Sequence, residues 1–278
     1  MAKLAYTFKT DTLFKMLFVQ YPDLLQRLVA VLLGLRFEDI EQFDIINTEL
    51  PPDIYGKKFC RLDINMMVDN QQVNLEIQVR DEGDYPERAL FHWSRLYASS
   101  LPKGGEYRNL PRTVVLSIVN FDLFECAAFH SEFRPLEVSR HEALTDRMSL
   151  HFFELRKLPE ELNSANMLEL WLQLFNAETE EDLRKIEALG VPIMEQAIKA
   201  YKEVTVRPAF LEAARILEEA EHNEASALGN AERRGRAEGL AEGRVEGLTE
   251  GEKKGRLEVF DLLEKGYTIE EIKRKLES

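Results

Sequence analysis

The sequence predicts an α/β protein: a mixed sheet flanked by helices, followed by an α-helical C-terminal region. Three observations carry this. Residues 59–80, FCRLDINMMVDNQQVNLEIQVR, alternate apolar and polar side chains on both sides of Asp69 and Asn70, the pattern of a β-hairpin buried on one face. Residues 113–119, TVVLSIV, form a short β-branched apolar run suited to a buried strand, and a helix is predicted between the two. From residue 235 to residue 255, glycine recurs every fourth position in a charged, helix-forming background.

Taken in order, residues 9–21 predict an amphipathic helix entered through Thr10 or Asp11, with Phe14, Leu17, Phe18 and Tyr21 at helical spacing. Asp11 suits the N-cap, where a side-chain oxygen satisfies a free backbone amide. A second helix follows Pro22, with Leu24, Leu25, Leu28, Val31 and Leu32 as its apolar stripe and Gly34 as its stop. Ile45, Ile46 and Thr48 suit a strand that Pro51 and Pro52 interrupt. In the hairpin, Cys60, Leu62, Ile64, Met66 and Val68 share a face with Val73, Leu75, Ile77 and Val79. A two-residue turn at Asp69 and Asn70 pairs Val68 with Gln71 and sets Asp63 opposite Glu76, with Gln78 on the same side.

Asp84 and Glu87 then fit a capping box, and Pro86 suits a first helical turn. The helix that follows points Ala89, Leu90, Trp93, Leu96 and Tyr97 at the core. Arg88, His92, Arg95 and Ser99 form another stripe, either a solvated face or a set of phosphate contacts. Residues 148–155, MSLHFFEL, predict a further strand, and the first unit is expected to close near residue 158. Residues 160–201 read as helical, broken at Gly190 and Pro192, with Trp171, Leu174 and Phe175 in the core. Three regions result: 1–158, a helical extension at 159–210, and a charged glycine-repeat helix with a short terminal helical hairpin at 211–278.

In that last region the glycines fall at 235, 239, 243, 247, 251 and 255, with Glu238, Glu242, Glu246 and Glu250 in register. A period of four exceeds the 3.6-residue turn, so the stripe drifts around a helix. Each glycine weakens the helix by about 1 kcal/mol relative to alanine. Close approach of another helix explains the period, and homo-oligomerisation through this helix is expected. The chain ends as helix, turn at Gly266, and helix capped by Thr268 and Glu271, which suits a minimal helix-turn-helix or a solvated pair.

The formal charge of −14 over 278 residues excludes indiscriminate attraction to nucleic acid or anionic membranes, so any nucleic-acid contact needs a local basic patch. Cys60 and Cys126 lack metal-site or disulfide spacing, which fits a reducing cytoplasm. No leader and no apolar run of about 18 residues is evident, so no membrane span is expected. Phosphate-loop and dinucleotide fingerprints are absent, so no nucleotide cofactor is expected. The nucleophile-elbow motif is absent too, and the five histidines do not fall at metal-ligand spacing. What chemistry remains lies in the hairpin. Carboxylates opposed on paired strands repel unless neutralised, and a divalent cation such as Mg²⁺ or Mn²⁺ is the simplest neutraliser, while splaying into water is the alternative.

Asp63, twelve intervening residues, then Glu76-Ile77-Gln78 resembles the PD-(D/E)XK nuclease core in a variant with glutamine at the usual lysine position. With Asp11-Thr12-Leu13-Phe14-Lys15, RLDIN, NLEIQV, YPERALFHWSRLYASSLPKGGEY and VVLSIVNFDLF in sequence, residues 9–125 more specifically resemble the Rpn family of recombination-promoting nucleases and transposase-like proteins. The resemblance implies a four-stranded mixed sheet flanked by helices and a Mg²⁺-dependent DNA endonuclease of the PD-(D/E)XK type, with Mn²⁺ or Ca²⁺ as alternative ions. It assigns Asp63, Glu76 and the carbonyl of Ile77 to the metal, and Gln78 to the lysine's place among the catalytic residues. Gln78 orients water or a phosphate oxygen but carries no charge. Arg80, Arg88 and Arg95 are then candidates for DNA phosphates, and Asp11 and Lys15 for accessory roles. Two alternatives stand beside this: a catalytically weak DNA-binding regulator on the same fold, and an assembly protein acting through its tail.

Overall fold

A computed structural model of the chain describes residues 2–46 and 64–276. Two compact units are present, Met1–Arg215 and Ile216–Ser278. The first is built on a six-stranded sheet: β1 (Phe43–Ile45), β2 (Ile64–Val68), β3 (Gln71–Gln78), β4 (Arg112–Val119), β5 (His130–Phe133) and β6 (Met148–Glu154), in the order β1-β2-β3-β4-β6-β5. The pairs β1–β2, β2–β3 and β5–β6 are antiparallel, whereas β3–β4 and β4–β6 are parallel. Parallel neighbours require crossovers, and α3 (Tyr85–Ser99) supplies the one between β3 and β4. The sheet has six strands rather than four because the short β1 and β5 add an edge on each side.

The hairpin register is the expected one, from Val68 against Gln71 to Ile64 against Leu75. Asp69 takes φ 51°, a left-handed conformation that aspartate tolerates. Its Oδ1 accepts the backbone amides of Glu41 at 3.0 Å and Gln42 at 2.9 Å, tying the turn to the chain entering β1. Asp69→Ala, which keeps neither the acceptor nor the tolerance, is expected to cost about 2 kcal/mol in urea denaturation.

One sheet face carries Ile64, Met66, Val68, Val73, Leu75, Val114, Leu116 and Ile118, all fully buried. They share a core with α1 (Asp11–Gln20), α2 (Pro22–Leu32), α4 (Met167–Asn176), α5 (Glu180–Glu187) and α6 (Pro192–Thr205). Phe14, Phe18, Trp171 and Phe175 interlock there, with ring centroids 5.1–6.4 Å apart. The first turns of α7 (Pro208–Glu264) add Phe210 and Ala214 to the same core. On the other face, Val115, Val119, Leu150 and Phe152 pack against Tyr85 and Ala89 of α3.

Several local expectations change. The first strand is Phe43–Ile45 and ends before Ile46, while Thr48, Cys60 and Leu62 lie outside the described residues. Thr10 holds the N-cap position of α1, placing Asp11 inside the first turn. Asp84 is the N-cap of α3, but its side chain makes no capping bond. Instead, Asp81 Oδ1 accepts the Gly83 amide at 2.8 Å, so the turn before the helix is held from upstream. The 160–201 segment breaks a second time at residues 177–179, where Thr179 and Asp182 form a capping box at the start of α5.

The glycine repeat lies within one continuous helix, α7, and a Cβ at any of Gly235, Gly239, Gly243, Gly247, Gly251 or Gly255 would meet nothing within 4 Å. The chain's own packing therefore gives no reason for those glycines. Gly266, at φ +85°, turns the chain into α8 (Ile269–Leu276). Thr268 and Glu271 cap it reciprocally, the Thr268 amide donating to Glu271 Oε2 at 2.9 Å. Among the described residues no helix is long and apolar enough to cross a membrane.

Candidate active site

Strand parity places Gln72, Asn74, Glu76 and Gln78 on the face opposite the large core, under α3. Trp93 Nε1 donates to the Thr113 carbonyl at 2.9 Å, and Ser100 Oγ bonds Gln72, so the helix is fixed to both β3 and β4. Asn74 Nδ2 donates to Asn65 Oδ1 across the hairpin at 2.9 Å. This polar row is enclosed, and Glu76 is only 4% exposed.

Tyr85 Oη donates to Glu76 Oε2 at 3.1 Å, and His92 Nδ1 lies 2.5 Å from Oε1. An ionised carboxylate accepts only, so the imidazole carries its proton on Nδ1. Tyr85 and His92 are seven residues apart, two turns along one helix face, which is why both reach the same side chain. Ser117 stands opposite Glu76 on β4, its buried Oγ without a hydrogen-bond partner among the described residues.

The face of α3 turned to the sheet is therefore not the expected one. Leu90 is 47% exposed, whereas Arg88 and His92, expected on a solvated stripe, are turned inward. The Arg88 side chain is 13% exposed and stacks 4.8 Å from the Tyr85 ring centroid. Its Nη1 pairs with Glu82 at 2.9 Å, and its buried Nε and Nη2 meet no acceptor among the described residues. The helix turns this way because Tyr85, not Leu90, fills the pocket between Phe121 and Phe152.

The remaining candidates are spread more widely. Gln78 ends β3, and its Nε2 donates to the Arg80 carbonyl at 2.7 Å, which leaves its amide oxygen as an acceptor. Ile77 neighbours Glu76 on the same strand, with its side chain against the large core. Arg80 is exposed just beyond β3. Arg95 is exposed, its guanidinium 5.9 Å from the Phe91 ring centroid and two helical turns from Arg88. Asp11 and the buried Lys15 belong to α1, in the layer covering the other sheet face. Asp63 lies outside the described residues, so its opposition to Glu76 does too.

The sequence places His92 on a solvated or phosphate-contacting stripe, and the structure instead brings it, with Tyr85, to Glu76. The available signal was their seven-residue separation, which puts both on one helix face. The donor chemistry suits a hard divalent cation. A carboxylate is a hard oxygen donor of the kind that Mg²⁺ and Mn²⁺ take. Among the described residues, no group of three or more acidic, histidine or cysteine side chains is arranged to hold a metal.

The family model described as PD-(D/E)XK nuclease family transposase matches residues 8–231, taking in the whole sheet and every described candidate residue. No curated protein and no solved structure matches the chain. With the mixed sheet, the buried glutamate on β3 and the helix that closes over it, this match over most of the chain's length shows that the protein belongs to the PD-(D/E)XK nuclease family transposases.

Proposed function

We propose that the protein is a metal-dependent DNA endonuclease that hydrolyses phosphodiester bonds, acting in the cytoplasm in recombination or on mobile elements. The observation that carries this reading is Glu76: a carboxylate enclosed between strand and helix, with Tyr85 and His92 fixing both of its oxygens. Burying a charge is costly, and a surface glutamate would need no such enclosure. Orientation by neighbouring donors is the usual support of a metal-ligating side chain.

On this reading, Asp63, Glu76 and the carbonyl of Ile77 hold Mg²⁺, with Mn²⁺ or Ca²⁺ as substitutes. Asp63 lies outside the described residues and is assigned by the D…E-x-Q resemblance to the nuclease core. Held there, a divalent cation would supply Lewis acidity, lowering the pKa of water and offsetting charge on the phosphate. The amide oxygen of Gln78 orients the attacking water. Arg88, on the helix face that carries Tyr85 and His92 to Glu76, supplies the positive charge that Gln78 lacks. Arg80 and Arg95, both exposed, steer more distant phosphates.

The test is nicking of supercoiled DNA with Mg²⁺ or Mn²⁺ by wild type, Asp63→Ala and Glu76→Ala. Loss in both variants is expected, and equal activity in all three refutes the assignment. Heat of Mg²⁺ binding that depends on these carboxylates separates an active site from the weak regulator on the same fold.

A second role follows from the tail, whose glycines serve no contact within the chain and alternate with exposed Leu240, Val245 and Leu248. We propose that α7 self-associates along this stripe, where missing side chains let two helices approach closely. Light scattering of the full chain should give a multiple of the monomer mass and a chain ending at Arg215 the monomer mass. The same oligomer in both removes the role.

A further inference from the structure

A cavity of about 420 Å³ lies at the other end of β3 from Glu76, between the hairpin turn and the start of β4. Gln71, on its wall, is five residues from Glu76, or about 17 Å along the strand. Three arginines line it, Arg108, Arg112 and Arg147, against a single carboxylate, Asp146. On a chain of net charge −14 this is a concentrated basic site.

Arg112 and Arg147 are half-buried and Arg108 is exposed. Arg147 donates from Nη2 to the Arg108 carbonyl at 2.8 Å, which fixes it at the rim. Arg112, the first residue of β4, has its Nε shielded from solvent with no acceptor among the described residues. Arg108 reaches solvent and pairs with Glu106 at 3.1 Å, so an anion would compete there with a weak, exposed partner. Met67 and Pro111 add apolar wall, which suits a sugar or base better than a bare ion.

We propose that this cavity binds a phosphate group on a nucleotide-sized ligand, presented by a free nucleotide or by the end of a nucleic-acid strand. Three arginines in a concave site match the planar, multidentate geometry by which guanidinium recognises phosphate. The inference needs no metal and does not depend on the endonuclease reading.

The experiment is calorimetry on the full chain in EDTA, with inorganic phosphate, dAMP, and an oligodeoxynucleotide with and without a 5′-phosphate. Removing one charge-assisted hydrogen bond weakens binding roughly tenfold or more. Wild type should bind dAMP or the 5′-phosphorylated strand, and Arg112→Gln and Arg147→Gln should each lose that factor. Arg108→Gln, at an exposed position that cannot disturb packing, should also weaken binding. Tighter binding of dAMP than of either strand identifies a free nucleotide, and a preference for the phosphorylated strand over both identifies a strand end. Absence of binding by all probes, or binding unaltered in the three variants, overturns the proposal.

Discussion

Glu76→Gln is expected to leave the fold intact and lower metal-dependent DNA cleavage by about three orders of magnitude, the effect of losing several kcal/mol of charge stabilisation. The variant is nearly isosteric. Its amide oxygen still accepts from Tyr85 Oη or from His92 Nδ1, so packing beneath α3 is kept. What disappears is the negative charge that would hold a cation. Glu76→Ala mixes two effects, because it also removes the acceptor of the Tyr85 and His92 hydrogen bonds, at about 1 kcal/mol for each bond lost.

The two donors should separate from the carboxylate in the same assay. Tyr85→Phe and His92→Ala keep the charge but each remove one hydrogen bond that orients Glu76, so cleavage should fall about tenfold to a hundredfold, the usual cost of losing a partner that orients a metal ligand. Mg²⁺ affinity, measured by calorimetry, should fall with it. Full cleavage by Glu76→Gln would sink the assignment of this carboxylate. Unchanged cleavage and affinity in both donor variants would show that enclosure of Glu76 serves the fold alone.

The hairpin was readable from the chain because its information is local: alternation sets the face of every side chain, and Asp69 with Asn70 sets the register. Glu76 and Gln78 therefore fell on one face in advance of any structure. The surroundings of Glu76 were less legible because they depend on how a helix rotates against a sheet. Leu90 and Leu96 argued for one rotation, and the aromatic pocket of Phe121 and Phe152 selects another by taking Tyr85. That rotation brings in Arg88 and His92. β5 was invisible for a different reason. With four residues, two of them His130 and Glu132, it has too little alternation to register and is a strand only because β6 offers an edge. The break before α5 was legible and overlooked, since Thr179 and Asp182 stand at capping-box spacing.

Stability should decline by about 2 kcal/mol between pH 6.5 and pH 4 through His151 alone. This side chain sits on β6, 7% exposed, with Nε2 2.7 Å from Ser149 Oγ and Nδ1 3.1 Å from His130 Nε2. Burial pushes its pKa down to about 4. The charge of Glu132, 3.5 Å away, opposes the shift without reversing it, and His130, Arg112 and Arg134 add to the depression. Burial likewise lowers the pKa of His130. Between the unfolded value near 6.5 and the folded value, the unfolded chain takes up a proton that the native chain refuses. Acidification therefore favours unfolding over that window, and below pH 4 this group adds nothing more. The full shift corresponds to about 3 kcal/mol, reduced here because Glu132 and Arg134 reach solvent and screen the cluster. His151→Gln cannot titrate, so its urea midpoint should fall less than that of wild type between pH 7 and pH 4.5. Parallel decline of the two proteins would place the acid sensitivity elsewhere.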